Sequence, residues 1–252
     1  MARTRVIPVL LIQNEGLVKG VQFKNHRYVG DPINAVKIFN EKEVDELCVL
    51  DISATVNNKK PDIKRIADIV SEAFMPISYG GGVSMLDEAK ELLYTGVEKI
   101  LLNTSLHTHP DLITQIANSA GNQSAIASID VKKNIWGKYK VYSRNGTKDT
   151  GKDVIEFAKE CENKGAGEIV LNSVDRDGMC SGYDTELIKK VAQSVNIPVV
   201  AVGGAWETGH LVQAKSAGAS ALAAGSMFVF HGKHKAVLIS YLNNSEIKNI
   251  NE

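Results

Sequence analysis

The sequence predicts an α/β fold, specifically a (β/α)8 TIM barrel built from two half-barrel repeats. Short β-type runs alternate with longer amphipathic stretches eight times, the pattern of parallel strands joined by helical crossovers. The length of 252 residues is that of one such barrel. The chain also repeats itself at half its length. A shift of 122 residues carries Pro76-Ile-Ser-Tyr-Gly-Gly-Gly82 onto Pro198-Val-Val-Ala-Val-Gly-Gly204. The same shift carries Gly96 onto Gly218, Asn103-Thr104 onto Gly225-Ser226, and Glu46 onto Glu168. A doubly wound open sheet would also alternate, but the duplication favours closure, because each half supplies four strands with equivalent edges. The expected organisation is one domain over 1–252, with half-barrels of about 1–121 and 122–252.

Element by element, the first strand is expected over 5–11. Its apolar run, Val6 to Ile12, is too short to span a membrane. The segment from Gln13 to Pro32 is long for a βα loop and reads as a mobile lid. A helix over 31–43 and a strand over 46–51 follow, then a helix over 61–73. The strand at 76–80 runs into a glycine turn and a helix over 85–94. A strand at 99–103 and a helix over 110–118 complete the first half. The second half opens with a strand at 125–130, and 131–150, with Gly137 and Gly146, reads as a hairpin insertion. Helices are then expected over 152–163, 184–194, 207–216 and 234–242, alternating with strands at 168–172, 198–202 and 221–225. Val212, Ala214 and Ala217 suit a helix packed on a sheet.

Composition narrows the function. Twenty-nine basic and 29 acidic residues cancel, so nothing global draws the chain to nucleic acid or to an anionic membrane. Cys48, Cys161 and Cys180 have no metal-ligand spacing and read as reduced thiols, so neither metal nor cofactor is expected. A cytoplasmic enzyme is the default.

In a parallel barrel, chemistry sits on the loops after the strands' C-terminal ends. Gly81 and Gly82 and the pair Asn103–Thr104 lie there, as do their counterparts Gly203, Gly204, Gly225 and Ser226. Glycine turns let backbone N–H groups converge on an anion. Two equivalent sets imply a small ligand with a phosphate at each end. Asp130, Asp51, Asp175 and Asp177 fall on the same face, and Asp130 stands between the two turns as a candidate for proton transfer. Its symmetry mate is Leu11, which cannot transfer protons. At the opposite face Arg5, Glu46, Lys99 and Glu168 begin four strands. They would form a mutually neutralising ring, either a structural plug or a gate over the barrel axis.

The sequence resembles the cyclase subunit of imidazole glycerol phosphate synthase, the HisF family, over nearly its whole length. Val18-Lys19-Gly20, Gly30-Asp31-Pro32, Asp45-Glu46-Leu47, Leu50-Asp51-Ile52, Gly80-Gly81-Gly82, Asn103-Thr104 and Ser128-Ile129-Asp130 carry the likeness. Ser173-Val-Asp-Arg-Asp-Gly178 and Ser181-Gly-Tyr-Asp184 are its most specific stretches. The resemblance implies a separate HisH-like glutaminase at the bottom of the barrel, whose ammonia passes the ring of Arg5, Glu46, Lys99 and Glu168. At the top it would meet a bisphosphorylated ribulosyl-formimino-carboxamide nucleotide, with Lys19 on the first loop. The family's cyclases use two aspartates, one at Asp130 and the other where this chain has Leu11. Trp206 and Asn172 are further departures, and an indole beside a phosphate turn would alter which ligand fits. This pattern, with Pro8, Arg27 and Tyr28, is similar to HisF-like paralogues of surface-polysaccharide (lipopolysaccharide) loci, which supply ammonia for sugar amidination together with a third, amidotransferase-like protein. Two alternatives remain open: a working histidine-pathway cyclase in which Asp51 or Asp177 replaces the missing group, and a non-catalytic scaffold that binds a phosphorylated ligand.

Overall fold

The computed structural model describes residues 3–252. Eight parallel strands form its centre: β1 (Arg5–Gln13), β2 (Leu47–Asp51), β3 (Ile77–Gly80), β4 (Lys99–Leu102), β5 (Ala125–Lys133), β6 (Glu168–Ser173), β7 (Val199–Val202) and β8 (Ala221–Ala224). β1 pairs in parallel with both β2 and β8, and β5 with both β4 and β6, so the sheet closes on itself. All eight strands lie where the sequence places them, and closure rules out the open sheet. The outer ring is α1 (Pro32–Glu41), α2 (Ile63–Ser71), α3 (Leu86–Tyr94), α4 (Leu112–Ala120), α5 (Val154–Asn163), α6 (Thr185–Ala192), α7 (Thr208–Ser216) and α8 (Asn244–Asn251).

Alternation along each strand divides the apolar residues into two cores. Outward residues such as Leu10, Leu47, Ile100, Ile129 and Ile169 join Phe39, Leu92, Ile113 and Phe157 of the helices in the larger one. Inward residues Ile7, Val9, Cys48, Leu101, Ile126, Val200, Ala221 and Ala223 form the smaller one inside the barrel. Helix starts are fixed by carboxylates that satisfy the unpaired amides of the first turn. Asp31 accepts from Asn34, Asp62 from Arg65, Asp153 from Ile155 and Glu156, and Asp184 from Leu187.

Two expectations are corrected. No helix covers 234–242. Phe230–His231 and Ala236–Val237 form a small hairpin instead, and the extended chain beyond it donates from Leu238 to the Val229 carbonyl and from Ser240 to that of Phe228. The last helix starts only after Asn243, where Asn243 and Glu246 cap each other's amides reciprocally. The segment from Gln13 to Pro32 is likewise no irregular loop. Gly16–Val21 and Lys24–Gly30 form an antiparallel hairpin that extends β1, with Leu11 opposite Val18. Left-handed Asn14, Gln22 and Phe23 allow its reversals.

The insertion after β5 is a hairpin, as expected, with a third strand: β5 runs antiparallel to Tyr139–Ser143, which pairs with Lys148–Asp153. Asp184 joins this extension to the barrel, since its carboxylate accepts from the Tyr139 hydroxyl at 2.8 Å while capping α6. Replacing it removes a cap and leaves a buried hydroxyl with a weaker partner. D184A is expected to lower unfolding free energy by about 2 kcal/mol in urea titration, whereas an exposed change such as E252A should leave it within about 0.5 kcal/mol.

Candidate functional site

The inward rows of the strands arrange chemistry along the barrel axis. β1 contributes Ile7, Val9 and Leu11 to the axial cavity, β4 contributes Lys99, Leu101 and Asn103 with the residue after it, β5 contributes Ile126, Ser128 and Asp130, and β6 contributes Glu168, Val170 and Asn172. Charge occupies the N-terminal end, apolar groups the middle, and polar groups the C-terminal mouth. One cavity is lined from Glu46, Lys99 and Glu168 at one end to the glycine turns at the other.

At the closed end Arg5 pairs with both Glu46 and Glu168, and Lys99 completes the circuit at 2.7 Å from Glu46 and 3.1 Å from Glu168. Glu46 and Glu168 are buried, so each negative charge depends on its two cationic neighbours. The attraction of both glutamates holds the Arg5 guanidinium charged against the cost of its burial. The four residues therefore form the ring that their positions at the strand starts predict.

At the mouth, Gly81, Gly82, Asn103, Thr104, Gly203, Gly204, Gly225 and Ser226 all line the cavity, as do Lys19, Asp51, Asp130 and Asp177. A side chain at Gly81 would meet the Asp51 carbonyl oxygen at 2.5 Å, so part of its role is close packing of the turn. Short helices, Ser105–Thr108 and Ser226–Val229, follow the two symmetry-related strands, a feature of the repeat that its glycines alone do not reveal. Asp175 is placed differently from the others. It is exposed, lies outside the cavity lining, and accepts from the Lys133 amide at 2.8 Å. Asp51 lines the cavity, but one of its oxygens is engaged by the Ser53 amide and hydroxyl and the Ala54 amide. Trp206 is not in the cavity lining. It lines a separate depression with Phe230, His231 and Tyr241.

Asp130 is buried, and Asn103 donates to its Oδ2 at 3.2 Å while also reaching the Ser128 carbonyl. Burial pushes its carboxyl up to about 7, with the Asp177 charge adding to the rise. Asp177 is itself raised by burial, against the opposing pull of Lys19. Lys19 turns inward from the hairpin and donates to the Val9 carbonyl; burial draws its ammonium down to about 8. Leu11 is half-buried on the cavity wall and packs with the inner apolar cluster. The mouth therefore holds Asp130, Asp177 and Lys19 in one space, with an apolar group at the first strand's corresponding position.

Several lining residues were not singled out from sequence. Phe23 and His26 come over the mouth on the hairpin, and Asn145 reaches it from the insertion, donating to the Ile52 carbonyl at 2.6 Å. Their long-range placement leaves no local signal. Asn172, already read as a departure, lines the cavity with the inward parity of Glu168 on the same strand.

Residues 5–235 match the family described as histidine biosynthesis protein, and the chain belongs to that family. It is 50% identical over 242 residues, 96% of each chain, to a provisionally named imidazole glycerol phosphate synthase HisF subunit of Pseudomonas aeruginosa. It is 48% identical to a provisionally named HisF subunit of Leptospira borgpetersenii, with 98% of each chain covered. The imidazole glycerol phosphate synthase subunit HisF of Pyrobaculum aerophilum is 41% identical, with 97% of each covered. Within the family the chain is therefore HisF-like. Among the described residues no helix is long and apolar enough to cross a membrane, and no cluster of His, Cys, Asp or Glu is arranged to hold a metal.

The Asp130 environment sets a pH expectation. The folded protein keeps this proton to about pH 7, whereas an unfolded aspartate releases it near 4. The folded state binds more protons between those values, so this group's contribution makes stability fall as pH rises through that window. In a carbon-13 titration the Asp130 carboxyl should show a midpoint near 7 that moves down in D177N. A midpoint near 4 in the unaltered protein would refute this reading of the site.

Proposed function

We propose that this chain is the synthase subunit of a glutamine amidotransferase complex, receiving ammonia through its barrel from a HisH-like glutaminase and having weak or no cyclase activity of its own. The observation that carries the reading is one cavity joining an intact ring of Arg5, Glu46, Lys99 and Glu168 to a mouth where Leu11, not a second carboxylate, stands at the first strand's symmetry position to Asp130. Ammonia is neutral and small, so the lining of Ile7, Cys48, Leu101, Ile126 and Val170 suits its passage better than that of ammonium. The ring end also carries candidate contacts for a partner. Phe74 and Tyr94, on the loop before β3 and at the end of α3, are 91% and 95% exposed, a costly arrangement for aromatic rings in an isolated barrel.

At the mouth, a ligand with two phosphates would span the turn of Gly81, Gly82, Asn103 and Thr104 and the turn of Gly203, Gly204, Gly225 and Ser226. Asp130 would then face its centre, able to hold or release a proton near neutral pH. The family's ring closure needs a second acid or base across the mouth, and Leu11 offers none. Ammonia delivered there is then available to another acceptor. Amidination of a surface-polysaccharide sugar, with a third, amidotransferase-like protein, is the acceptor reaction we favour.

A second reading has one observation in its favour. Asp177 and Lys19 both face the cavity with proton affinities moved toward neutrality, and could replace the lost acid or base in histidine biosynthesis. Purified protein supplied with the ribulosyl nucleotide and ammonium salt separates the two. Loss of one proton-transfer group should leave turnover about two to four orders of magnitude below that of an ordinary cyclase. L11D should recover part of the loss if its fold survives the added carboxylate, checked by thermal melting. Turnover equal to an ordinary cyclase, abolished in D177N, would establish the second reading instead.

A further inference from the structure

Trp206 departs from the family pattern and lies outside the axial cavity. It borders a depression of about 440 Å3 between the start of α7 and the small hairpin at 230–237, a size usual for small-molecule sites. Trp206, Met227, Phe230 and Tyr241 give the depression apolar and aromatic walls. These walls are held in place. The Trp206 amide donates to His210 Nδ1 at 3.2 Å. Tyr241 donates its hydroxyl to the Val6 carbonyl at 2.7 Å and packs its ring on Phe228, with centroids 5.2 Å apart.

The rim is cationic. His231 and Lys233 line it, on the turn His231-Gly-Lys-His-Lys235, which the Lys235 amide closes on the Gly232 carbonyl at 3.0 Å. The Lys235 ammonium stands 5.9 Å from the centre of the Trp206 ring, and the Arg27 guanidinium 5.9 Å from that of Phe230. Among the described residues, none of Arg27, Lys233 and Lys235 forms a salt bridge with a carboxylate. Of the carboxylates at the margin, Glu246 accepts from the Thr208 hydroxyl and the Asn243 amide, and Glu207 lies 3.6 Å from His210 Nε2. Aromatic walls beside unpaired cations complement a planar ring that carries an anion. Two lysines on one turn suit a pair of linked phosphates.

We propose that this depression binds a nucleoside diphosphate, with the base against Trp206 and Phe230 and the phosphates at Lys233 and Lys235. The site is separate from the axial cavity but shares a loop with it. Gly204 and Ala205 line the mouth, and Trp206, the next residue, lines the depression. The inference goes beyond the ammonia reading and does not depend on it.

Calorimetric titration with ADP and UDP tests it, with adenosine and inorganic pyrophosphate as the two halves of the ligand. Both diphosphates should bind one to one with dissociation constants below about 1 mM, and each half at least about tenfold more weakly. W206A should weaken ADP binding at least about tenfold. K233E/K235E should do the same while leaving the melting temperature within about 2 °C, because it changes a surface turn. S226D, which puts a carboxylate in the second-half phosphate turn of the mouth, should leave ADP binding within about twofold. No saturable binding of either diphosphate up to about 5 mM would overturn the proposal. Either half binding as tightly as the whole would overturn it as well. So would ADP binding that survives W206A and K233E/K235E but is lost in S226D, since the nucleotide would then sit in the mouth.

Discussion

Closing eight parallel strands into a barrel leaves only alternate residues facing the axis, and this constraint orders everything else in the molecule. On β6, Glu168, Val170 and Asn172 face inward while Ile169 and Leu171 pack against helices. Because each strand crosses the barrel in few residues, each has room for about one residue at the closed end, one or two in the middle and one at the mouth. The charged ring is tolerated at its end because Arg5 and Lys99 alternate with Glu46 and Glu168, so that no buried charge lacks an opposite neighbour. The same register that builds the ring fixes Leu11, Asn103, Asp130 and Asn172 at the mouth.

Duplication explains the mouth's symmetry and its limits. The glycine turns and the short helices behind them recur in both halves, where backbone geometry does the work and many side chains would collide. The side chains at the centre do not recur. Asp130 is buried beside Asn103 and shares the cavity with Asp177, while Leu11 simply continues the apolar lining. A buried Asp130 carboxyl in one half and the apolar Leu11 at its symmetry position in the other make the centre of the mouth asymmetric. That asymmetry connects the local chemistry to the proposed separation of ammonia delivery from cyclisation.

The fold was legible because it depends on local periodicity and on a repeat that survives in plain sequence. The eight strands and the ring could be read that way, since residue parity and strand starts are local properties. The helix expected over 234–242 was misread because its apolar content suits either state. What decides it is the capping pair Asn243–Glu246 further on and the carbonyls of Phe228 and Val229 behind it. Length alone made 13–32 look like an extended loop, although its left-handed turn residues form a hairpin that carries Lys19 inward. Within the site, Asp175 and Trp206 lie beside the right turns but point elsewhere, a matter of side-chain direction that adjacency in sequence does not encode. Asn172 was readable as a departure from the family pattern, but its unpaired oxygen was not, because its burial depends on the strands and turns packed beside it.

A barrel that works as a conduit, as proposed, is coupled to its partner, whereas an inert scaffold is not. Glutamine hydrolysis by a HisH-type glutaminase, measured with and without this chain and with the ribulosyl nucleotide in the mouth, separates the two. A conduit should form a one-to-one complex in which hydrolysis accelerates by about tenfold or more, a change of about 1.4 kcal/mol in the barrier. A stable complex with no acceleration would contradict it and leave a scaffold that binds a phosphorylated ligand.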